Sequence, residues 1–278
     1  MAALAATATL FGSFAVVGQS SPVARGGEAA AGNTPMATAA APPGVTGLRA
    51  PGYLTTPAPE DSIVLAPHPP QTGSPAEERD LAAAAVAIAM RGSARWDLAT
   101  ADAHLIGPSA TAAFSCAAGV MIGTATTPAL ERLLRRAMTD LGRSTSVIKK
   151  AYQRPRPFMV NGQPTCTPQA EATLRKDGSY PSGHSAIGFG LGLILAELIP
   201  QRASQLVARG RAFGDSRRVC NVHWLSDIEE GRIAAAATVA RLHAEPAFRA
   251  DLDAARAELR SAKAKPGRCE QEQAALAG

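Results

Sequence analysis

Aromatic residues are scarce in this chain of 278 residues, only 4% of the total, and long alternations of β-branched and aromatic side chains are missing. That shortage argues against a sheet protein and for helices packed closely through Leu, Ile, Val and Ala. Also absent is an uninterrupted apolar run of the ~18 to 20 residues a membrane span requires. The stretch 187–199 is too short and carries Glu197. The net charge of +5 is spread out, without the dense basic stripe of a nucleic-acid binder. Cysteine is sparse too: Cys116, Cys166, Cys220 and Cys269 lie too far apart for a zinc knuckle, so no metal site is expected. Four thiols allow three pairings, and spacing alone does not choose among them. No internal repeat is visible.

What is present divides by composition. Residues 1–18 are small and apolar and read as a secretory signal peptide, although no Lys or Arg precedes Arg25. Residues 19–70 form an Ala/Pro/Gly/Ser-rich stretch without periodicity, expected to be disordered or removed. The catalytic domain is expected over 71–265, with a tail at 266–278. An apolar content of 46% supports a single sizeable core. Ser74-Pro75-Ala76-Glu77 joins a cap, a first-turn proline and a capping glutamate, which predicts a helix over 75–91. Thr127-Pro128 opens another, with Leu130, Leu133, Leu134, Ala137 and Leu141 on one face; it is expected to run on and deliver Lys149. Further helical patterns cover 109–121, 168–176, 201–213, 227–243 and 246–262. The fold class expected is all-α, a helical bundle with its chemistry on helix ends and loops.

The chemistry lies in three blocks: Lys149 with Arg156-Pro157, then Pro181-Ser182-Gly183-His184, then Ser216-Arg217 with His223 and Asp227. Written as K-x6-R-P, P-S-G-H and S-R-x5-H-x3-D, the blocks hold eleven identities in fixed order, far more specific than a lone glycine motif. A phosphomonoester carries nearly two negative charges, so its site needs fixed cations and backbone N–H donors. Lys149, Arg156 and Arg217 fit that need, the arginines through planar forks that bond two oxygens at once. Ser182-Gly183-His184 precedes an apolar helical run ending at Pro200, which would place an anion on a helix N-terminus. His223 is the candidate nucleophile, with Asp227 to fix its tautomer, and His184 the candidate general acid. Ser226-Asp227-Ile228-Glu229 resembles a capping box, and a helix starting there would bring His223 and Asp227 together across a turn instead of along a face.

Taken singly, these residues have plainer explanations. Arg156 alone reads as a surface charge, His184 as a helix cap, and His223 with Asp227 as a structural ion pair. Only their joint pattern reverses that. His68, His104 and His243 have no nameable partners and no assigned role; Lys150 and Arg154 read as solvated or supporting. Tyr152 and Trp224 read as packing.

The blocks resemble those of the bacterial class A non-specific acid phosphatases, soluble members of the type 2 phosphatidic acid phosphatase superfamily, which also contains the vanadium haloperoxidases. The likeness extends through Thr165-Cys166-Thr167-Pro168, the run Leu174-Arg175-Lys176-Asp177-Gly178-Ser179-Tyr180, and Val219-Cys220 with His223-Trp224, over about residues 70–262. It implies an all-α bundle of the acid phosphatase and vanadium haloperoxidase type. It also implies a periplasmic, metal-independent and cofactor-free hydrolysis of phosphate monoesters. By the same resemblance His223 becomes phosphorylated, His184 protonates the leaving group and Asp227 orients His223. Lys149, Arg156, Ser182, Gly183 and Arg217 bind phosphate. Cys166 pairs with Cys220 in that family, and the expectation taken alongside is Cys116 with Cys269. Small-molecule phosphomonoesters and inorganic phosphate are the expected partners, with no nucleic acid and no membrane span; a homo-oligomer is left open. The chain departs from the family pattern at Ser185, where threonine is usual, Asp215, where glutamine or glutamate is usual, Arg218, where an aliphatic residue is usual, and Asn221, where glycine is usual. Competing readings are a vanadium-dependent haloperoxidase, using the same ligands for vanadate, and a non-catalytic phosphate-binding protein, which would have no need of paired histidines.

Overall fold

The computed structural model describes residues 50–55 and 62–277, and the expected signal peptide at 1–18 lies outside the described residues. Every regular element among them is helical. The long helices are α1 (Pro75–Ala89), α2 (Ala94–Asp102), α3 (Pro128–Arg143), α4 (Ser146–Tyr152), α5 (Gly183–Leu198), α6 (Ala203–Val219), α7 (Leu225–Leu242), α8 (Pro246–Leu259) and α9 (Cys269–Ala277). Single turns at Ser62–Leu65, Ser109–Ala112, Ser115–Ala118, Pro157–Asn161 and Glu171–Leu174 join them.

Apolar periodicity explains the centre. Leu191, Ile194 and Leu195 of α5 and Leu130, Leu133, Leu134, Ala137 and Leu141 of α3 are completely buried in one core. Helix α5 packs against α6, α7 and α3, while α8 lies along α3. With few aromatics, the bundle gains contact by bringing backbones close. A β-carbon on Gly210 of α6 would lie 2.6 Å from the Gly188 carbonyl oxygen of α5, and one on Gly192 would lie 2.8 Å from the Leu206 carbonyl. Hydrogen is the only side chain that fits at this crossing.

Several expected boundaries shift for identifiable reasons. The α3 helix does not continue to Lys149: Ser144 Oγ donates to the Leu141 carbonyl at 2.7 Å and Thr145 Oγ1 to Gly142 at 3.2 Å, ending α3 before Lys149 is delivered by the separate α4. The pattern at 109–121 is two single turns, the second closed by Gly119 at φ 71°. Helix α6 runs past 213 to Val219, because Gly214 and Ser216 are buried against neighbours, not turned to solvent. Helix α2 was not anticipated; Ser93 caps it by accepting from the Trp96 N–H.

Part of the stretch expected to lack order is docked. Asp140 of α3 accepts the Tyr53 N–H at 2.6 Å and the Leu54 N–H at 3.3 Å, and Gly52 lies against the same carboxylate, where a β-carbon would meet its oxygen at 2.1 Å. The Tyr53 ring is buried edge-on to Phe248, with Arg136 over its face. Residues 62–70 also pack: Ala66 is buried and the Pro67 carbonyl accepts the Tyr180 hydroxyl. The remainder of 19–70 lies outside the described residues. At the other end, the 266–278 tail carries α9, tied to the body by a disulfide between Cys116 and Cys269. A second disulfide joins Cys166 to Cys220, as the resemblance implied.

The helix crossing gives a direct test. Gly210→Ala is expected to lower stability by about 2 kcal/mol or more, as overpacking at a backbone contact does. Urea unfolding followed by circular dichroism measures it, and an unchanged midpoint would contradict the close approach of α5 and α6.

Candidate active site

The three sequence blocks meet at one cavity of about 930 Å³, whose wall includes Lys149, Arg156, Gly183, His184, Arg217 and His223. Lys149 comes from α4, Arg156 from the residue capping the Pro157–Asn161 turn, Gly183 and His184 from the first turn of α5, Arg217 from the last turn of α6, and His223 from the loop before α7. Pro155 and Pro157 flank Arg156, and the Pro155 carbonyl is fixed by the Trp224 indole N–H at 2.8 Å. Asn221 sits at φ 59° in the turn leading to His223. Asparagine tolerates this left-handed conformation better than most residues, which accounts for its standing where the resembling family has glycine.

His223 is almost completely buried, and its ring nitrogens have different partners. Nδ1 lies 3.2 Å from Asp227 Oδ2, while Nε2 lies 3.1 Å from Arg156 Nη1. The carboxylate only accepts and the guanidinium only donates, so Nδ1 carries the proton and Nε2 presents its lone pair. Asp227 is the third residue of α7, which starts at Leu225, not after the Ser226 cap considered above; its Oδ2 also accepts the Trp224 N–H at 2.9 Å. His184 Nε2 lies 3.0 Å from the Ala103 carbonyl, to which it donates. The other nitrogen, Nδ1, is left to exchange a proton.

The cations differ in how they are held. Arg156 is spanned by the carbonyls of Leu174, Asp177, Gly178 and Val222. Lys149 Nζ donates to the Gly178 carbonyl at 2.5 Å. Arg217 is 3% exposed, yet its Nε and Nη1 have no hydrogen-bond partner among the described residues. Such a buried donor pair calls for an explanation. Burial, with Arg156 nearby, lowers Lys149 to about 8 and Arg217 to about 9. Burial also drives both imidazoles well below the ordinary histidine range, assisted by Arg217 at His184 and by Arg156 at His223. Burial raises the Asp227 carboxyl, and Arg154 with the Trp224 N–H restrain that rise.

Ser182 is the expected phosphate ligand that the geometry keeps off the cavity wall. It is fully buried, its Oγ accepts the Ser185 N–H at 3.2 Å, and its own N–H donates to the Asp227 carbonyl. It caps α5 and leaves the first amides of that helix without intrahelical acceptors. Two groups support the site: Arg154, which the sequence reads as solvated or supporting, and Asp102, which it does not single out. Arg154 bonds Asp227 Oδ1 at 2.7 Å and Asp80 of α1 at 2.8 Å, and Asp80 in turn accepts the Ser226 N–H and hydroxyl. Beneath Arg217, Asp102 of α2 accepts two bonds from Arg209 and one from Ser216, whose hydroxyl also meets Arg95. The only advance signal for Arg154 was its place in Arg154-Pro155-Arg156-Pro157.

The model of the PAP2 superfamily matches residues 126–248. An acid phosphatase of Zymomonas mobilis is 43% identical over 205 residues, covering 72% of this chain and 76% of the relative. A non-specific acid phosphatase of Salmonella typhimurium is 41% identical over the same length, covering 72% and 82%. One from Providencia stuartii is 37% identical over 228 residues, covering 81% and 92%.

The depressed imidazoles couple stability to pH. A histidine kept neutral in the fold stabilises it above its unfolded value near 6.5, and that contribution is lost as pH falls below, by up to about 1.4 kcal/mol per pH unit for each ring. Denaturant unfolding at pH 7.5 and pH 5 is expected to show a smaller loss on acidification in His184→Gln than in the unsubstituted protein. Equal losses in both would show that this ring is not held neutral.

Proposed function

Because the chain belongs to the PAP2 superfamily and is an acid phosphatase, we propose that it hydrolyses a broad range of phosphate monoesters through a phosphohistidine formed on His223. The observation that carries this reading is the buried Arg217 guanidinium, with two nitrogens unpartnered among the described residues, on the same cavity wall as the two imidazoles. An entering phosphoryl group would supply acceptors to Arg217, to Arg156 and to the start of α5, with Gly183 letting the backbone approach. Ser182 contributes by capping that helix.

In the first step the Nε2 lone pair of His223 attacks phosphorus and the ester P–O bond breaks, while His184 gives its Nδ1 proton to the departing oxygen. In the second, water attacks phosphorus, forming a P–O bond as the P–Nε2 bond breaks; His184 takes a proton from that water, and phosphate leaves with the Nε2 lone pair restored. Asp227 stabilises the cationic imidazole between the steps. His184 must be protonated before it can donate, and burial opposes this; the negative charge of the bound ester favours it, giving an acid-side optimum. The cavity continues past the cations to Leu105, Ile106, Met138 and Ile187, an apolar wall that places little demand on the leaving group. The two disulfides support a site of action outside the reducing cytoplasm, in the periplasm.

His223→Ala is expected to reduce turnover by about a thousandfold or more while inorganic phosphate still binds. Rapid quenching with a labelled ester should trap an acid-labile, base-stable adduct on His223; a full burst with no adduct on that residue would refute the nucleophile assignment. His184→Ala is expected to slow alkyl phosphates by about 10² to 10⁴, and nitrophenyl phosphate much less, because an acidic phenol needs little protonation. Equal losses on the two ester types would remove His184 from the acid role.

A further inference from the structure

One half-exposed carboxylate touches the cationic wall, and it stands where a phosphate oxygen is wanted. A guanidinium has five N–H bonds. In Arg156, Nε is occupied by the carbonyls of Leu174 at 3.0 Å and Asp177 at 3.1 Å. Nη1 reaches the Val222 carbonyl at 3.0 Å and His223 Nε2 at 3.1 Å; Nη2 reaches the Gly178 carbonyl at 3.4 Å and Asp177 Oδ2 at 3.1 Å. Arg156 therefore has no N–H to spare. The carbonyls are fixed by the chain, so the partners an incoming anion can replace are His223 Nε2 and the Asp177 carboxylate. They occupy one N–H on each terminal nitrogen, the pair with which arginine grips two oxygens. Asp177 Oδ2 also lies 3.5 Å from Lys149 Nζ, so it engages two of the three cations together.

Exposure distinguishes this carboxylate from its surroundings. The Asp177 side chain is 53% exposed, against 2% for Arg156 and 11% for Lys149. Its backbone is tied, the N–H to the Leu174 carbonyl and the carbonyl to Arg156, so rotation of the side chain alone releases the cations into the cavity. Asp227, held by Arg154 and completely buried, has no such freedom.

We propose that Asp177 is an internal anion that occupies the phosphate-facing fork of Arg156 in the resting enzyme and is displaced by the substrate's phosphoryl group. Its return competes with inorganic phosphate and weakens product retention. The proposal rests on the phosphatase reading, and it makes Asp177 a determinant of affinity that acts through Arg156 and Lys149. The opposite role, holding Arg156 in place, would be redundant with four backbone carbonyls.

The two roles predict opposite signs. Calorimetric titration of inorganic phosphate into the unsubstituted protein, Asp177→Asn and Asp177→Ala is expected to show the dissociation constant about tenfold lower in both variants, as for removal of a charged hydrogen-bonding competitor. KM for 4-nitrophenyl phosphate should fall with it, and Asp177→Glu should restore weaker binding. Unchanged or weaker phosphate affinity in Asp177→Asn and Asp177→Ala, with kcat reduced, would overturn the proposal and assign Asp177 to positioning Arg156. Calorimetry needs no turnover, so an unsubstituted protein that binds phosphate without hydrolysing esters would sink the phosphatase reading and still decide the role of Asp177.

Discussion

Three cations converge on one cavity where the carboxylates are few: Asp177 meets Arg156 and Lys149 from a half-exposed position, and the buried Glu131 is paired with Arg135. Removing a cation from water without a paired anion is costly. The fold offsets that cost for Arg156 and Lys149 with backbone carbonyls, which solvate charge without cancelling it, and with the one displaceable carboxylate of Asp177. Arg217 has less, and its guanidinium is lowered to about 9 by burial and by Arg156. Under the proposed reading, an anion with several oxygens relieves all three at once. Burial first, and then the field of these cations, pushes both imidazoles toward neutrality, so the arrangement proposed to attract the phosphoryl group also keeps the His223 lone pair available.

The buried carboxylates around the cavity are already paired with arginines other than Arg156 and Arg217. Asp227 shares its charge with Arg154, which is also paired with Asp80; Asp102 is taken by Arg209 and Ser216. This outer layer connects elements remote in sequence: α1 reaches Arg154 and the start of α7 through Asp80, and α9 reaches α6 through Glu272 and Arg209. The tail and the 50–55 segment are thus part of the frame. The segment is clamped on α3, and Ala50 and Pro51 contribute to the cavity wall.

The inner layer was legible because its residues occur in short blocks of fixed spacing, where identity and order carry the chemistry. The helices were legible where apolar residues repeat on one face, as Leu130 to Leu141 do. The outer layer was not. Asp80 and Arg154 are 74 positions apart, and Asp102 and Arg209 are 107 apart, and neither pair leaves a periodic mark. Gly52 and Tyr53 were concealed by composition, because an Ala/Pro/Gly-rich stretch gives no sign that one glycine fits against a buried carboxylate. Nor does spacing show that Ser182 faces its own helix and the Asp227 carbonyl, with the cavity left to Gly183 and His184.

The two histidines show how one side chain acquires opposite duties under the proposed mechanism. Both stand beside cations on the cavity wall, so the contrast comes from their fixed partners. The His223 Nδ1–H is held by a carboxylate, which favours positive charge on the ring once Nε2 has bonded to phosphorus. Before attack, burial and then Arg156 hold the ring unprotonated, while Arg154, 2.7 Å from the other oxygen of Asp227, fixes the carboxylate in place. The His184 Nε2–H is held by the neutral Ala103 carbonyl, which orients the ring without stabilising a cation to the same degree. Its protonation therefore depends more on the charge of the bound ester. The acid is charged when there is a leaving group to receive its proton, and the nucleophile stays neutral until it attacks.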